Sequence, residues 1–189
     1  MPELPHFAFK EWSPIVDALG SGRQILLLRK GGIAEGPGGF RPEHDHFWLY
    51  PTTFHSAAGK LKPEARITHQ PEGSPTPIRY FAEVHETHWL EDPLRLAALD
   101  SFHLWAPEEL AKRWTFGKRP GLYAMIVRVF RLPSPVAIPD HPSHHGCKSW
   151  IPLEEPPSTD NLIPVWDDAT FETQRQKIRQ ALALPPGLA

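Results

Sequence analysis

The chain reads as an α+β domain: a small, mixed, strongly curved sheet or barrel with three short helices. Two observations lead there. Runs of strand length (QILLLR, FWLYPT, IRYFAEVHETHWL, LYAMIVRVFRL, CKSWIPL) give four or five strands, and only three segments carry helix start and stop signals. The links between them are mostly too short or irregular for the repeated right-handed crossovers of a parallel sheet. The 23 prolines and 13 glycines make about a fifth of the 189 residues backbone punctuators, against ~12% on average. Long helices are therefore few.

In order, SPIVDALGSG is a short helix with Ser13 as cap, Pro14 in its first turn, Ile15, Val16 and Leu19 on one side and Gly20 to stop it. QILLLRKGGI is a continuous apolar run ending in charge and a Gly31-Gly32 turn, the pattern of a strand buried on both faces whose end reaches water. FWLYPT is the next strand, halted by Pro51, and Ala57 to Pro77 is a loop with at most a short strand around RITHQ. IRYFAEVHETHWL alternates, with Ile78, Tyr80, Ala82 and Val84 on one face and Arg79, Glu83 and His85 on the other, Phe81 being a mild exception. APEELAKRW is a helix: Pro107 starts it, Glu108 and Glu109 lie in its first turn and Lys112 and Arg113 in its last, matching the helix dipole. LYAMIVRVFRL is the strongest strand, PSPVAIPDHPSHHG a proline-broken connection, and CKSWIPL a short final strand. DDATFETQRQKIRQAL is a C-terminal helix capped by Asp167 with Phe171, Ile178 and Leu182 in one stripe. Residues 1–153 are thus expected to form a single α+β domain, with 154–189 a linker and C-terminal helix packing on it.

Composition narrows the function classes. Hydrophobic content of 40% keeps the chain out of the disordered class. The single cysteine, Cys147, excludes an internal disulfide framework and fits a reducing compartment. The first residues lack a basic stretch followed by an apolar one, and the longest apolar run is far below membrane-spanning length, so a cytoplasmic protein without membrane association is expected. A formal charge of −2 gives no global field for nucleic acid. Basic contacts must then be local.

FKEW, LLLRKGGI, FWLYPT with His55 after it, FHLWAPEELAKRW, VRVFRLPSP and GCKSW, in that order, resemble an uncharacterised bacterial family known as domain of unknown function 1802, over roughly the first four fifths of the chain. The family has no established activity, so the resemblance implies no catalytic residues. A weaker resemblance is to the ASCH-type barrels of the PUA-like superfamily, whose first strand reads G-x-K-x-x-E-x-R. Gly22 and Arg29 match, but Gln24 stands at the lysine place and Leu27 at the glutamate place. Such barrels typically bind RNA or modified bases in a cleft, so this resemblance implies a PUA-like fold and a nucleotide-like ligand. The two departures argue against an amidohydrolase of that type.

The densest chemistry lies between Arg29 and His55. Arg29 and Lys30 end a buried strand before a glycine pair and can present a guanidinium fork and a point charge to phosphate, with Arg41 a third cation. Trp48 or Tyr50 would stack a base, and Thr52 or His55 would bond its edge. The expected ligand is therefore a nucleotide or single-stranded nucleic acid. The rival is a hydrolase or nuclease using Glu35 and His55 as acid and base, and a third reading is a protein interaction module. The spacings His44-x-His46 and His141, His144, His145, Cys147 suggest a metal, but neither has a defined completing ligand. Solvated loop histidines are the commoner reading, and no metal or other cofactor is expected.

Overall fold

The computed structural model describes residues 5–30, 40–53, 59–65, 75–117 and 119–184. Among them are seven strands in one curved sheet: β1 (Phe7–Trp12), β2 (Leu26–Arg29), β3 (His46–Thr52), β4 (Thr76–Leu90), β5 (Leu122–Ile138), β6 (Trp150–Pro152) and β7 (Ile163–Pro164). Four α-helices accompany them: α1 (Ser13–Gly20), α2 (Pro93–Ala98), α3 (Pro107–Thr115) and α4 (Asp168–Ala181). The strand order is β2-β5-β4-β3-β1-β6, with β7 pairing β5. β1 and β3 run parallel and the other pairs antiparallel, so the sheet is mixed. Its outer strands, β2 and β6, are not paired with each other and the barrel is left unclosed.

Two apolar clusters cover the two faces. The larger joins Leu26, Leu27 and Leu28 of β2 to Phe47 and Leu49 of β3, Ile15 and Leu19 of α1, and Phe171 and Ile178 of α4. The smaller gathers Trp48 and Tyr50 of β3 with Ile78, Phe81, Leu132, Ile138 and Ile151. Alternation along FWLY thus sends successive rings into different clusters.

Several local expectations change. β1 is a strand not foreseen among the runs, because Lys10 and Glu11 interrupt its apolar pattern. Ser13 is the first helical residue and Trp12 stands at the cap position without a side-chain bond; the Ser13 hydroxyl instead donates to Thr52 O at 3.2 Å. Gly20 lies inside α1, where a Cβ would collide with the Tyr80 ring, and it is Gly22 that takes a positive φ of 72°. Pro51 does not halt β3, because beyond Trp48 that strand has lost its β4 partner and pairs on the β1 side alone. β5 likewise continues through Pro133 and Pro135. These prolines fall between the Tyr80–Arg131 and Ile78–Val136 pairs, where the register shifts and no ladder N–H is required. An extra helix, α2, is capped by Asp92, whose carboxylate accepts the Leu94 N–H at 2.9 Å. Asp167 caps α4 as expected, accepting the Thr170 N–H at 2.8 Å. Glu86 of β4 receives both Arg175 (2.9 Å) and Arg179 (2.6 Å) of that helix.

Candidate functional site

Several polar side chains meet at the edge between β2 and β6 that is left unclosed among the described residues. Arg29, the last residue of β2, directs its guanidinium across the gap, donating to the Ser149 hydroxyl from Nε (3.1 Å) and Nη2 (2.8 Å). Its Nη1 lies 3.6 Å from Glu11 Oε2, and the group sits 5.0 Å above the Phe9 ring. A side-chain hydrogen bond thus stands where a barrel would have a strand ladder.

Glu11 is the unexpected member. It is 1% exposed. Oε1 accepts the Trp12 N–H at 2.8 Å, while Oε2 has no hydrogen-bond partner among the described residues and faces Arg29 by charge. A buried carboxylate is tolerated only among cations, and Arg29 and Arg113 supply them. Arg113 of α3 lies over Trp105 at 3.8 Å and Trp12 at 5.6 Å, and bonds Glu109 at 3.1 Å. Burial lowers its pKa and Glu11 opposes that shift. Lys10, next on β1, donates to the carbonyls of His144 (2.7 Å) and Gly146 (2.9 Å). Burial lowers its ammonium below the ordinary lysine range; Cys147 opposes this, and Lys148 and Arg29 add to it. Lys10 is thus within electrostatic reach of Arg29 and Lys148, and Arg113 within reach of Arg29 and Glu11, in a slightly acidic chain.

Arg41 belongs to the same place. Its carbonyl accepts the Trp150 indole N–H at 3.0 Å, which sets it beside the first residue of β6, and the residue is exposed. Half-buried Trp150 packs against Phe9 (4.9 Å), Phe47 (5.1 Å), Phe40 (5.9 Å) and His44 (4.9 Å).

The other anticipated residues go elsewhere. Lys30 turns to the end of β4 and β5, donating to the carbonyls of Trp114, Arg119 and Gly121 (2.5 Å for the last) with its ammonium 5.1 Å from the Trp89 ring. Trp48 is 0% exposed and its indole N–H donates to Pro5 O at 3.0 Å, so no ring face is open for stacking. Tyr50, 7% exposed, accepts the Thr76 hydroxyl at 2.9 Å. Thr52 donates to Glu11 O at 3.1 Å, holding β3 against β1. Glu35 and His55, the acid and base of the hydrolase reading, lie outside the described residues. His44 stacks on Phe7 at 3.9 Å and His46 faces Phe81 at 6.2 Å, which separates the H-x-H pair. Among the described residues, no three His, Cys, Asp or Glu side chains are placed to hold a metal ion. A cavity of about 130 Å³ lies apart from the Arg29 edge, against His144.

The model of the family described as "Domain of unknown function (DUF1802)" matches residues 8–177. The chain belongs to the DUF1802 family. No curated protein matches this member. Among solved structures, the DUF1802 chain is similar to a serine-to-alanine mutant of the ASCH protein of Zymomonas mobilis, at 11% identity and a TM-score of 0.50, over 93% of this chain and 96% of that one. The unmutated Zymomonas mobilis ASCH structure aligns over 79% of this chain and 87% of its own, at 11% identity and 0.48. A tyrosine-to-phenylalanine mutant aligns over 90% and 94%, at 12% and 0.48. The first of these shows an ASCH-like fold for the DUF1802 chain. No helix among its described residues is long and apolar enough to cross a membrane.

Proposed function

We propose that this DUF1802 chain binds an anionic, nucleotide-like ligand or a short single-stranded nucleic acid at the edge between β2 and β6. The observation that carries this reading is the Arg29 guanidinium directed across a sheet edge left unpaired among the described residues, with exposed Arg41 held beside β6 by its carbonyl. ASCH-type barrels, which the fold resembles, typically hold RNA or modified bases in a cleft, and this supports the same ligand class. In this reading Arg41 and Lys148 meet phosphate at the rim, Arg29 meets it within, and Trp150 replaces buried Trp48 as the aromatic for a base. Glu11 anchors the Arg29 guanidinium and opposes the burial-driven lowering of the Arg113 pKa.

The test is binding of fluorescent single-stranded RNA and DNA oligomers, and of mononucleotides, across a salt series. Affinity is expected to fall linearly on logarithmic axes, and Arg41→Ala to reduce the slope by roughly one phosphate contact's worth. Absent or salt-independent interaction with every ligand refutes the proposal. Cleavage of an oligomer during incubation would instead favour the hydrolase reading.

A further inference from the structure

A guanidinium can grip a two-oxygen anion in two ways, because its donors are one N–H on Nε and a pair on each Nη. The side-on grip uses Nε with Nη2, and the end-on grip uses Nη1 with Nη2. Arg29 has already spent the first. Its Nε (3.1 Å) and Nη2 (2.8 Å) both donate to the single hydroxyl oxygen of Ser149. Its Nη1 lies 3.6 Å from Glu11 Oε2, beyond hydrogen-bond length, so that contact is one of charge and leaves the Nη1 hydrogens uncommitted among the described residues.

Ser149 is held firmly where it receives them. It is 1% exposed, and its carbonyl accepts the Lys10 N–H at 2.8 Å, which pins its backbone to β1. The loop before it is pinned as well, because Lys10 Nζ donates to the carbonyls of His144 (2.7 Å) and Gly146 (2.9 Å). The Phe9 ring, 5.0 Å from the guanidinium carbon, covers one face of the group. The Arg29 side chain keeps 16% of its surface. Its uncommitted donors are those of the outer end.

On the reading of this edge as the ligand site, we infer that Ser149 is its positioning residue. The hydroxyl fixes the Arg29 guanidinium side-on, so that the Nη1 and Nη2 hydrogens at the outer end receive two oxygens of one phosphate group. Ser149 itself touches no ligand and acts only through Arg29. Without the hydroxyl the guanidinium keeps its charge but turns about its last side-chain bonds, and the matched pair is lost. A phosphodiester within a strand and the terminal phosphate of a mononucleotide both offer such an oxygen pair.

The experiment measures binding of a fluorescent single-stranded RNA oligomer to the full-length protein across a salt series, for the wild type, Ser149→Ala, Arg29→Lys and the double variant. Ser149→Ala is expected to weaken binding about tenfold, with an unchanged slope against salt because no charge is removed. Arg29→Lys keeps the charge without the fork and should weaken it to a similar degree. The double variant should bind no worse than Arg29→Lys alone, since both changes remove the same interaction. Competition by an oligomer without terminal phosphates and by a nucleoside monophosphate identifies the phosphate that is gripped, the tighter competitor carrying it. Ser149→Ala binding as tightly as the wild type overturns the inference and leaves the site standing. A shallower salt slope in Ser149→Ala, or a loss that adds in full to that of Arg29→Lys, overturns it too, because Ser149 would then act on the fold and not through Arg29. No binding by the wild type removes the site and the inference together.

Discussion

His103 gives the most direct physical test of the fold's electrostatics. It sits between α2 and α3, 4% exposed, and its Nδ1 accepts the Trp105 N–H at 3.1 Å while Nε2 has no hydrogen-bond partner among the described residues. Lys62 donates to its carbonyl at 3.1 Å. Burial, and then the Lys62 charge, lower its pKa from 6.5 to about 4, with Asp100 opposing. Protonation would cost Nδ1 its acceptor role and place a second cation beside Lys62. Because the folded value lies below the unfolded one, the unfolded chain takes up its proton first as pH falls below 6.5. Stability therefore rises with pH across the window from about 4 to 6.5 and is lost on acidification. At ~1.4 kcal/mol per tenfold the ceiling is roughly 3 kcal/mol. Urea denaturation of the wild type and His103→Asn at about pH 7 and about pH 4 measures it. The asparagine oxygen can still accept the Trp105 N–H but does not titrate in this window. His44, His85 and His144, also lowered by burial, contribute equally to both proteins and cancel in the difference. The wild type should lose roughly 2–3 kcal/mol more than the variant, and equal losses would refute the reasoning.

Other substitutions separate scaffold from site. Trp48→Ala should lower stability by roughly 3–5 kcal/mol in chemical denaturation, since its ring lies wholly within the smaller apolar cluster; a neutral result would return Trp48 to the surface. Lys30→Ala should cost about 1–3 kcal/mol, because its ammonium joins carbonyls of Trp114, Arg119 and Gly121. An unchanged melting temperature would show Lys30 to be free. Gly20→Ala should destabilise by about 1–3 kcal/mol through collision with the Tyr80 ring, and adding Tyr80→Val should recover much of the loss in the same melt.

The parts of the fold legible in the sequence are those where pattern and burial agree. The leucines of β2 are buried on both faces as a continuous apolar run implies, and α4 shows its Asp167 cap and its Phe171, Ile178 and Leu182 stripe. What stayed hidden was buried polarity. Glu11 looks like a solvent residue, and nothing local announces that Arg29 and Arg113 will close over it from distant strands and helices. Lys30 and Trp48 failed in opposite senses. A charge at a strand end implies contact with water, yet carbonyls of a remote turn receive it; an aromatic next to charged loops implies an open face, yet the smaller cluster on the other face of the sheet absorbs it. Of the signals present but unused, Asp92-Pro93 marks the start of α2 by cap and proline, and alternation in FAFKEW points Phe9 and Glu11 to one side of β1. The prolines of β5 misled because a bulge, invisible in sequence, removes the need for their missing donors.

The order of the strands has a consequence for how the chain reaches this state. β1 finds one partner in β3, but its other ladder, Phe9 to Trp150, waits for residues near the opposite end of the described fold. Among the described residues β2 pairs with β5 alone, through Leu26 opposite Ile126. On a growing polypeptide β2 is made long before β5, so Leu26, Leu27 and Leu28 are expected to stay unpaired through much of synthesis. Closing such distant pairs is entropically slow, and the β4–β5 hairpin, the longest ladder, is expected to zip first with the edges joining last. Folding is then expected on the millisecond-to-second scale typical of non-local sheets, and a chaperone that shelters nascent apolar segments should improve yield more for this chain than for a helical bundle of equal length.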